Sequence, residues 1–132
     1  MPEFGQNQER AKARLVAAVN AERDRRLAAG FVFQGHRFDF DPDSVRNITG
    51  AGASAGVAMA MGANPGDLRW ADADTDFGWL SQDNALVAMD AQTCFAFSQA
   101  ARSHTQAHIF AARWIKDQSS IPADYTDDTY WP

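Results

Sequence analysis

The stretch ERDRRLAAGFVFQGHRFDFD, residues 22–41, contains the most regular hydrophobic pattern of the chain. A charged segment ends at Gly30, and phenylalanines then alternate with other residues on both sides of Gln34-Gly35-His36. A period of two is typical of half-buried strands, and a short glycine-containing turn between two such runs predicts a β-hairpin. An isolated hairpin is marginally stable in water, so a helix must cover its apolar face. The expected core residues of this hairpin are Phe31, Phe33, Phe38 and Phe40.

The residues before the hairpin predict a long, polar N-terminal helix. Residues 7–29 are dominated by strong helix formers, and Gly30 suits the position just after a helix end. The apolar patch of this helix is narrow for its length, and a helix this polar lies across a surface or pairs with another chain. We therefore predict an interface with another chain through Leu15, Val16 and Val19, with Arg23 at its polar rim.

A second helix is predicted after the hairpin. Asp41 can cap it, and Pro42 fits its first position. An apolar stripe follows at three- and four-residue steps and ends at Asn64-Pro65-Gly66. The glycines within the helix weaken it, so we expect another backbone to approach it closely. These glycines are Gly50, Gly52 and Gly56.

The second half of the chain predicts a short hairpin, a long helix and a tail. The hairpin is expected within WADADTDFGWL, residues 70–80, with an aspartate-rich tip. The helix is expected from a cap at Asp90 to about Gln118. The acidic and aromatic tail has no periodicity and is expected to be either docked through Tyr130 and Trp131 or loose.

The predicted fold is a single α+β domain. Its elements are a long N-terminal helix, an aromatic hairpin, a glycine-rich helix, a short second hairpin and a long C-terminal helix. The predicted segments are residues 1–29 for the N-terminal helix, 30–118 for the globular part and 119–132 for the tail.

The length, net charge and cysteine content of the chain argue against several classes of function. The 132 residues are sufficient for one modest core. The net charge of −5 is uneven, since residues 1–29 carry +2 and residues 30–132 carry −7. No concentrated basic face is expected, which argues against nucleic-acid binding. We also expect no membrane insertion, no signal peptide and, with Cys94 alone, no internal disulfide.

Three motifs raise the possibility of a bound ligand. The GAGASAG segment, residues 50–56, has GxGxxxG spacing rather than that of a dinucleotide-binding loop, and a tightly packed helix explains it better. His104 and His108 have a spacing that suits a metal, but no HExxH pattern or further ligand accompanies them, so packed histidines are favoured. The aspartates that resemble part of a calcium loop are Asp72, Asp74, Asp76 and Asp83.

Solvated aspartates that form turns remain the favoured interpretation of this calcium-like motif, because Phe77 replaces the glycine that a calcium loop requires.

The sequence contains no recognisable catalytic pattern. No GxSxG motif is present, and no glutamate follows Glu22 to supply a common pair of catalytic carboxylates. We therefore predict no enzymatic activity, no catalytic residue, no metal and no cofactor.

The stretch ERDRRLAAGFVFQGHRFDFDPDSVRNITGA, residues 22–51, resembles a small domain of phage and prophage tail proteins, the domain-of-unknown-function family numbered 4376. Looser similarity extends over residues 9–118. The matching positions in the hairpin region are Gly30, Phe31, Phe33, Gly35, Phe38, Asp41, Ser44 and Ile48–Ala51. Those further along are Trp70, His104, Ala111–Arg113 and Lys116, and the closing Tyr-Trp-Pro is also typical of such proteins.

The resemblance implies a role in a virion but no chemistry. It implies a non-enzymatic structural or adhesin component of a bacteriophage or phage-like tail, in a fibre or tail tip, made in the host cytoplasm. The implied partners are other tail proteins, a host surface receptor for an adhesin, and further copies of the chain, with a trimer as the leading expectation. The alternatives are a tail-assembly factor absent from the mature particle and a calcium-dependent carbohydrate-binding tip.

Overall fold

Three helices and two β-hairpins make up the residues that the structure describes. The computed structural model describes the backbone of residues 2–132 and the side chains of residues 5–132. The elements are α1 (Pro2–Ala28), β1 (Phe31–Phe33), β2 (His36–Phe38), α2 (Pro42–Ala60), β3 (Gly78–Leu80), β4 (Leu86–Ala88) and α3 (Ala91–Lys116), followed by a 3-10 turn at Asp128–Tyr130. The predicted α+β class and the long helices near both ends are confirmed.

The chain divides into two compact units. The first contains the described residues up to Leu27 together with Thr105–Pro132, and the second contains Ala28–His104. The tail and most of α1 thus group with the last turns of α3, through a shared apolar cluster that is described below for the first unit.

The first hairpin of the second unit lies where it was predicted, but its turn is one residue shorter than expected. Its strands are antiparallel, with Phe31 opposite Phe38 and Phe33 opposite His36. Gln34 and Gly35 have φ values of 51° and 79°, and a two-residue type I′ turn requires positive φ at both positions. Residue 36 therefore belongs to the second strand rather than to the turn. Phe31, Phe38 and Phe40 are buried, and Phe33 is half-buried.

Phe97 of α3 covers the rings of this hairpin. Its ring centre lies 5.4 Å from that of Phe31, 5.3 Å from Phe33 and 4.8 Å from Phe38. Aromatic pairs at such distances add to the free energy gained from burial of their area. The helix that covers the hairpin is thus α3, and Phe31, Phe38, Phe40 and Phe97 all belong to the core of this unit.

α2 begins where its sequence predicts. The backbone N–H of Ser44 donates to the Asp41 side chain, and Pro42 occupies the first turn. Within the helix, a Cβ atom on Gly52 would collide with the side chain of Ser98 from α3. The close approach expected at the glycines is therefore present at Gly52, although a serine side chain rather than a bare backbone makes the nearest contact.

The second hairpin lies further along the chain than predicted. Gly78–Leu80 pairs with Leu86–Ala88, so only the last three residues of the predicted segment 70–80 form a strand. The aspartate-rich residues before it form a loop, because the Asp72 side chain accepts the backbone N–H of Asp74 and its carbonyl accepts that of Thr75. Side chains that bond to their local backbone compete with strand pairing.

The first unit is built from α1, the last turns of α3 and the tail. Its core contains Val19, Ala112, Ile115, Ile121 and Trp131, against which Tyr125 and Tyr130 are partly buried. The indole N–H of Trp131 donates to the carbonyl of Tyr125 at 2.8 Å. The tail is therefore docked, which decides between the two expectations for it.

Candidate functional site

The apolar patch of α1 is occupied by this chain's own residues. Val19 is 0% exposed and belongs to the core cluster, and Leu15 and Val16 pack against that cluster. Arg23 donates to Asp24 and, at 3.4 Å, to Asn20. The prediction that Val19 contacts another chain is therefore corrected, because the tail and α3 already cover it.

One arginine of α1, Arg26, contacts the tail. Glu22 is buried, and its carboxylate accepts hydrogen bonds from Arg25 at 2.7 and 2.5 Å and from Arg26 at 2.8 Å. Arg26 also donates to the carbonyl of Thr126 at 2.7 Å and to Asp128 at 2.8 Å. Its guanidinium lies 5.3 Å from the centre of the Trp131 ring. We call Glu22, Arg25, Arg26 and Asp128 the tail clamp.

Bonding within the tail clamp favours the ionised form of Glu22. The hydrogen bond from Arg25 is the largest cause that lowers the pKa of Glu22, burial opposes it, and the hydrogen bond from Arg26 lowers the pKa further. The sequence contained a local signal for part of this arrangement, since residues three and four apart on a helix are neighbours. The tail partner could not be read from that spacing.

The two histidines of α3 pack against aromatic rings. The His104 ring lies 5.7 Å from Phe31 and 5.1 Å from Phe40, and the His108 ring lies 6.3 Å from Trp131. Cys94 is fully buried, and burial raises the pKa of its thiol to about 11. Residues 5–132 contain no group of three or more His, Cys, Asp or Glu side chains that could hold a metal ion.

The aspartates of the calcium-like motif are engaged separately. Asp72 accepts the backbone N–H of Asp74, Asp76 pairs with Arg69 at 3.1 Å, and Asp83 accepts the hydroxyl of Ser81. That hydroxyl is the largest cause of the lowered pKa of Asp83. These contacts belong to turns and to a surface ion pair, and they do not bring the four carboxylates together.

The last turns of α3 carry large apolar side chains that point away from the core. Phe110 is 62% exposed and Trp114 is 56% exposed, and Ile109 is also exposed. His108, Ala112 and Ile115 on the other side of the same turns are buried. We call Ile109, Phe110 and Trp114 the α3 apolar face. Sequence analysis did not single them out.

A groove lies between the end of α2 and the loop that follows it, with a volume of about 600 Å³. We call it the α2 groove, and its lining includes Val57, Ala58, Met61, Asp67, Arg69 and Trp70. Met61 is 83% exposed, and Val57 is 60% exposed. The indole N–H of Trp70 donates to the carbonyl of Met89 at 3.0 Å, and its ring lies 4.7 Å from Phe77.

The hydrogen bond to Met89 and the ring contact with Phe77 fix the position of Trp70 in the groove wall. The groove lining also contains one carboxylate and one guanidinium, those of Asp67 and Arg69. Asp67 accepts the backbone N–H of Arg69 at 2.9 Å. The lining therefore mixes apolar and charged side chains. The groove was not predicted, because its lining residues come from a helix end and a loop without periodicity.

None of the helices that the structure describes has the length and apolar character needed to cross a membrane. Residues 10–130 match the model of the family described as Domain of unknown function (DUF4376). Since this match covers most of the chain, the chain belongs to that family. Neither the curated proteins nor the solved structures contain a match to it.

Proposed function

From this family membership, we propose that the chain is a non-enzymatic structural or adhesin component of a bacteriophage or phage-like tail, within a fibre or a tail tip. The resemblance of residues 22–51 to a domain of tail proteins supports the context. The α3 apolar face supports the role, because large exposed apolar surfaces on a folded protein mark sites of interaction with other proteins.

The α3 apolar face is the observation that carries this proposal. Ile109, Phe110 and Trp114 lie on the same turns as the buried Ala112 and Ile115, so this part of α3 is apolar on both sides. Large apolar side chains that stay exposed on a folded subunit mark sites of interaction with other proteins. A structural subunit of a larger particle has neighbours that can cover such a face.

Purified particles from the strain that encodes this chain provide the test. We expect mass spectrometry to find its peptides in gradient-purified particles, at a constant ratio to other tail proteins. A stop codon in the gene should yield particles with missing or altered tails. A silent codon change at the same position is the matched control.

Two outcomes would contradict the proposal. Peptides present in the producing cells but absent from particles, together with incomplete tails, would identify an assembly factor instead. Normal infective particles from the stop-codon strain would reject a structural or adhesin role altogether.

A further inference from the structure

The loop that follows α2 is long and anchored. Residues 61–77 connect α2 to β3 without a helix or a strand. The backbone N–H of Gly66 donates to Asp90 at 2.8 Å, and that of Phe77 donates to the carbonyl of Leu68 at 2.7 Å. Irregular loops longer than about 12–15 residues are uncommon in compact domains, and those with a fixed structure usually carry binding residues. This loop forms one wall of the α2 groove.

Contacts within the loop and with its surroundings hold three side chains of the groove in place. Trp70 donates its indole N–H to Met89, so the indole offers the groove only its ring carbons. Arg69 pairs with Asp76 through its Nε atom at 3.1 Å, and Asp67 accepts the backbone N–H of Arg69 with one carboxylate oxygen. Arg69 therefore keeps further N–H groups for a ligand, and Asp67 keeps its second oxygen. Side chains that are fixed before binding lose less conformational entropy when a ligand arrives.

The charge and polarity of the lining restrict the class of ligand. One carboxylate and one guanidinium give the lining no net charge, so it does not favour a polyanion such as a nucleic acid. A purely apolar ligand is also disfavoured, because it would remove Asp67 and Arg69 from water without replacing their hydrogen bonds. The ligand that fits is neutral, rich in hydroxyl groups and apolar on at least one face.

A sugar ring has these properties. Its hydroxyl groups both donate and accept hydrogen bonds, as a carboxylate beside a guanidinium requires, and the C–H groups on its faces pack against aromatic rings. The groove is open to solvent rather than enclosed, so it can accept one ring of a longer saccharide chain. Its volume of about 600 Å³ falls in the range of natural small-molecule sites.

We propose that the α2 groove binds a neutral saccharide. One sugar ring packs against Trp70, and its hydroxyl groups bond to Asp67 and Arg69. These three side chains bind the sugar directly, in contrast to the calcium-dependent tip considered from the sequence. The inference names the ligand of the adhesin form of the proposed function and rests on that function for its biological role. Binding itself is measured on the purified chain, so the two can fail separately.

An array of neutral glycans, followed by calorimetric titration of the strongest binder, tests the proposal. We expect Asp67→Asn and Arg69→Ala each to lose about tenfold or more in affinity, because each removes a charged partner of the sugar hydroxyls. Both side chains are exposed, so both variants should keep the fold, which circular dichroism checks. Asp43→Asn and Arg46→Ala are the matched controls, because they change an exposed ion pair on the first turn of α2, outside the groove lining.

Two further measurements locate the binding site on the wild-type chain. Backbone amide signals of residues 66–71 should shift in nuclear magnetic resonance spectra as the glycan is added, and those of the first hairpin, residues 31–38, should not. Chelation of calcium should leave the affinity unchanged, because no metal takes part in the contact.

Four results would overturn the proposal. Absence of binding to every neutral glycan at millimolar concentration would mean that the α2 groove is not a saccharide site. Unchanged affinity of both groove variants would place the sugar elsewhere, and equal losses in the controls would indicate a general effect of surface charge. Loss of binding on chelation would indicate a metal-dependent site. A chain that binds a saccharide but is absent from purified particles would contradict the tail role and leave this inference standing.

Discussion

The side chain of Ser98 occupies the space into which a Cβ atom on Gly52 would project. Gly52 is therefore needed for α2 and α3 to pack as closely as they do. Gly52→Ala should lower stability by about 1–3 kcal/mol, the usual cost of overpacking a core, despite the better helix propensity of alanine. Chemical denaturation measures this change.

Gly50 provides the matched control for that substitution. It lies in the same helix, and nothing would contact a Cβ atom within 4 Å. Gly50→Ala should therefore stabilise the protein by about 0.5–1 kcal/mol. The pair Gly52→Ala with Ser98→Gly should recover most of the loss. Equal effects of alanine at both glycines would show that Ser98 does not restrict the packing of α2.

Local signals made much of the fold predictable from sequence. Asp41 and Asp90 each accept a backbone N–H three residues later, as helix caps do, and both lie where the caps were expected. The first hairpin followed from alternation around Gln34-Gly35, because a two-residue turn specifies the register of its strands. In each case the deciding contacts join residues that are close in sequence.

Distant contacts account for what sequence analysis missed. Val19 was assigned to an interface with another chain because Ile121 and Trp131, which share its core cluster, lie about a hundred residues away in a tail without periodicity. The second hairpin was misplaced because its second strand lies beyond the predicted segment. Its Trp79 packs 5.5 Å from the distant Phe97. Large apolar residues lie on two sides of the last turns of α3. Composition does not show which side is buried, because that depends on packing against residues distant in sequence.

Phe38 should be a major source of stability for the second unit. Its side chain is fully buried, and its ring contacts those of Phe31 and Phe97. Phe38→Ala should cost about 3–5 kcal/mol, which is enough to unfold a small domain. Val32→Ala on the opposite strand is the control, because Val32 is exposed. A melting temperature for Phe38→Ala close to that of the control would reject the hairpin as a wall of the core.

Cys94 should be chemically inert in the folded protein. Burial both hides its sulfur and raises the pKa of the thiol to about 11, so very little reactive thiolate exists at neutral pH. We expect a colorimetric thiol reagent to react slowly with the native chain and stoichiometrically after denaturation. Fast labelling without denaturant would indicate that the second unit opens readily around Cys94.

Trp131 should decide whether the tail stays docked. It is almost fully buried and donates a hydrogen bond to the Tyr125 carbonyl. Trp131→Ala should cost about 3–5 kcal/mol and increase hydrogen exchange across the tail. Tyr130→Phe, which removes only the exposed 3.0 Å hydrogen bond to Asp124, should have a much smaller effect on both quantities. Rapid exchange in the wild-type tail would contradict the docked arrangement.

The tail clamp should make stability depend on pH through Glu22. Hydrogen bonds from Arg25, and then from Arg26, hold the pKa of the buried Glu22 below its ordinary value of 4.5. The unfolded chain therefore binds the proton first as the pH falls. The stabilisation by Glu22 is complete above that ordinary value, and it is lost as the pH falls through the lowered pKa of the folded state.

Glu22→Gln should accordingly melt at a lower temperature than the wild type near neutral pH, and the difference should shrink between about pH 6 and pH 3. Scanning calorimetry over that range measures both profiles. Glu9→Gln is the control, because it removes an exposed carboxylate from the same helix. Parallel profiles for the wild type and Glu22→Gln across the acidic range would mean that the clamp does not contribute to stability through the ionised form of Glu22.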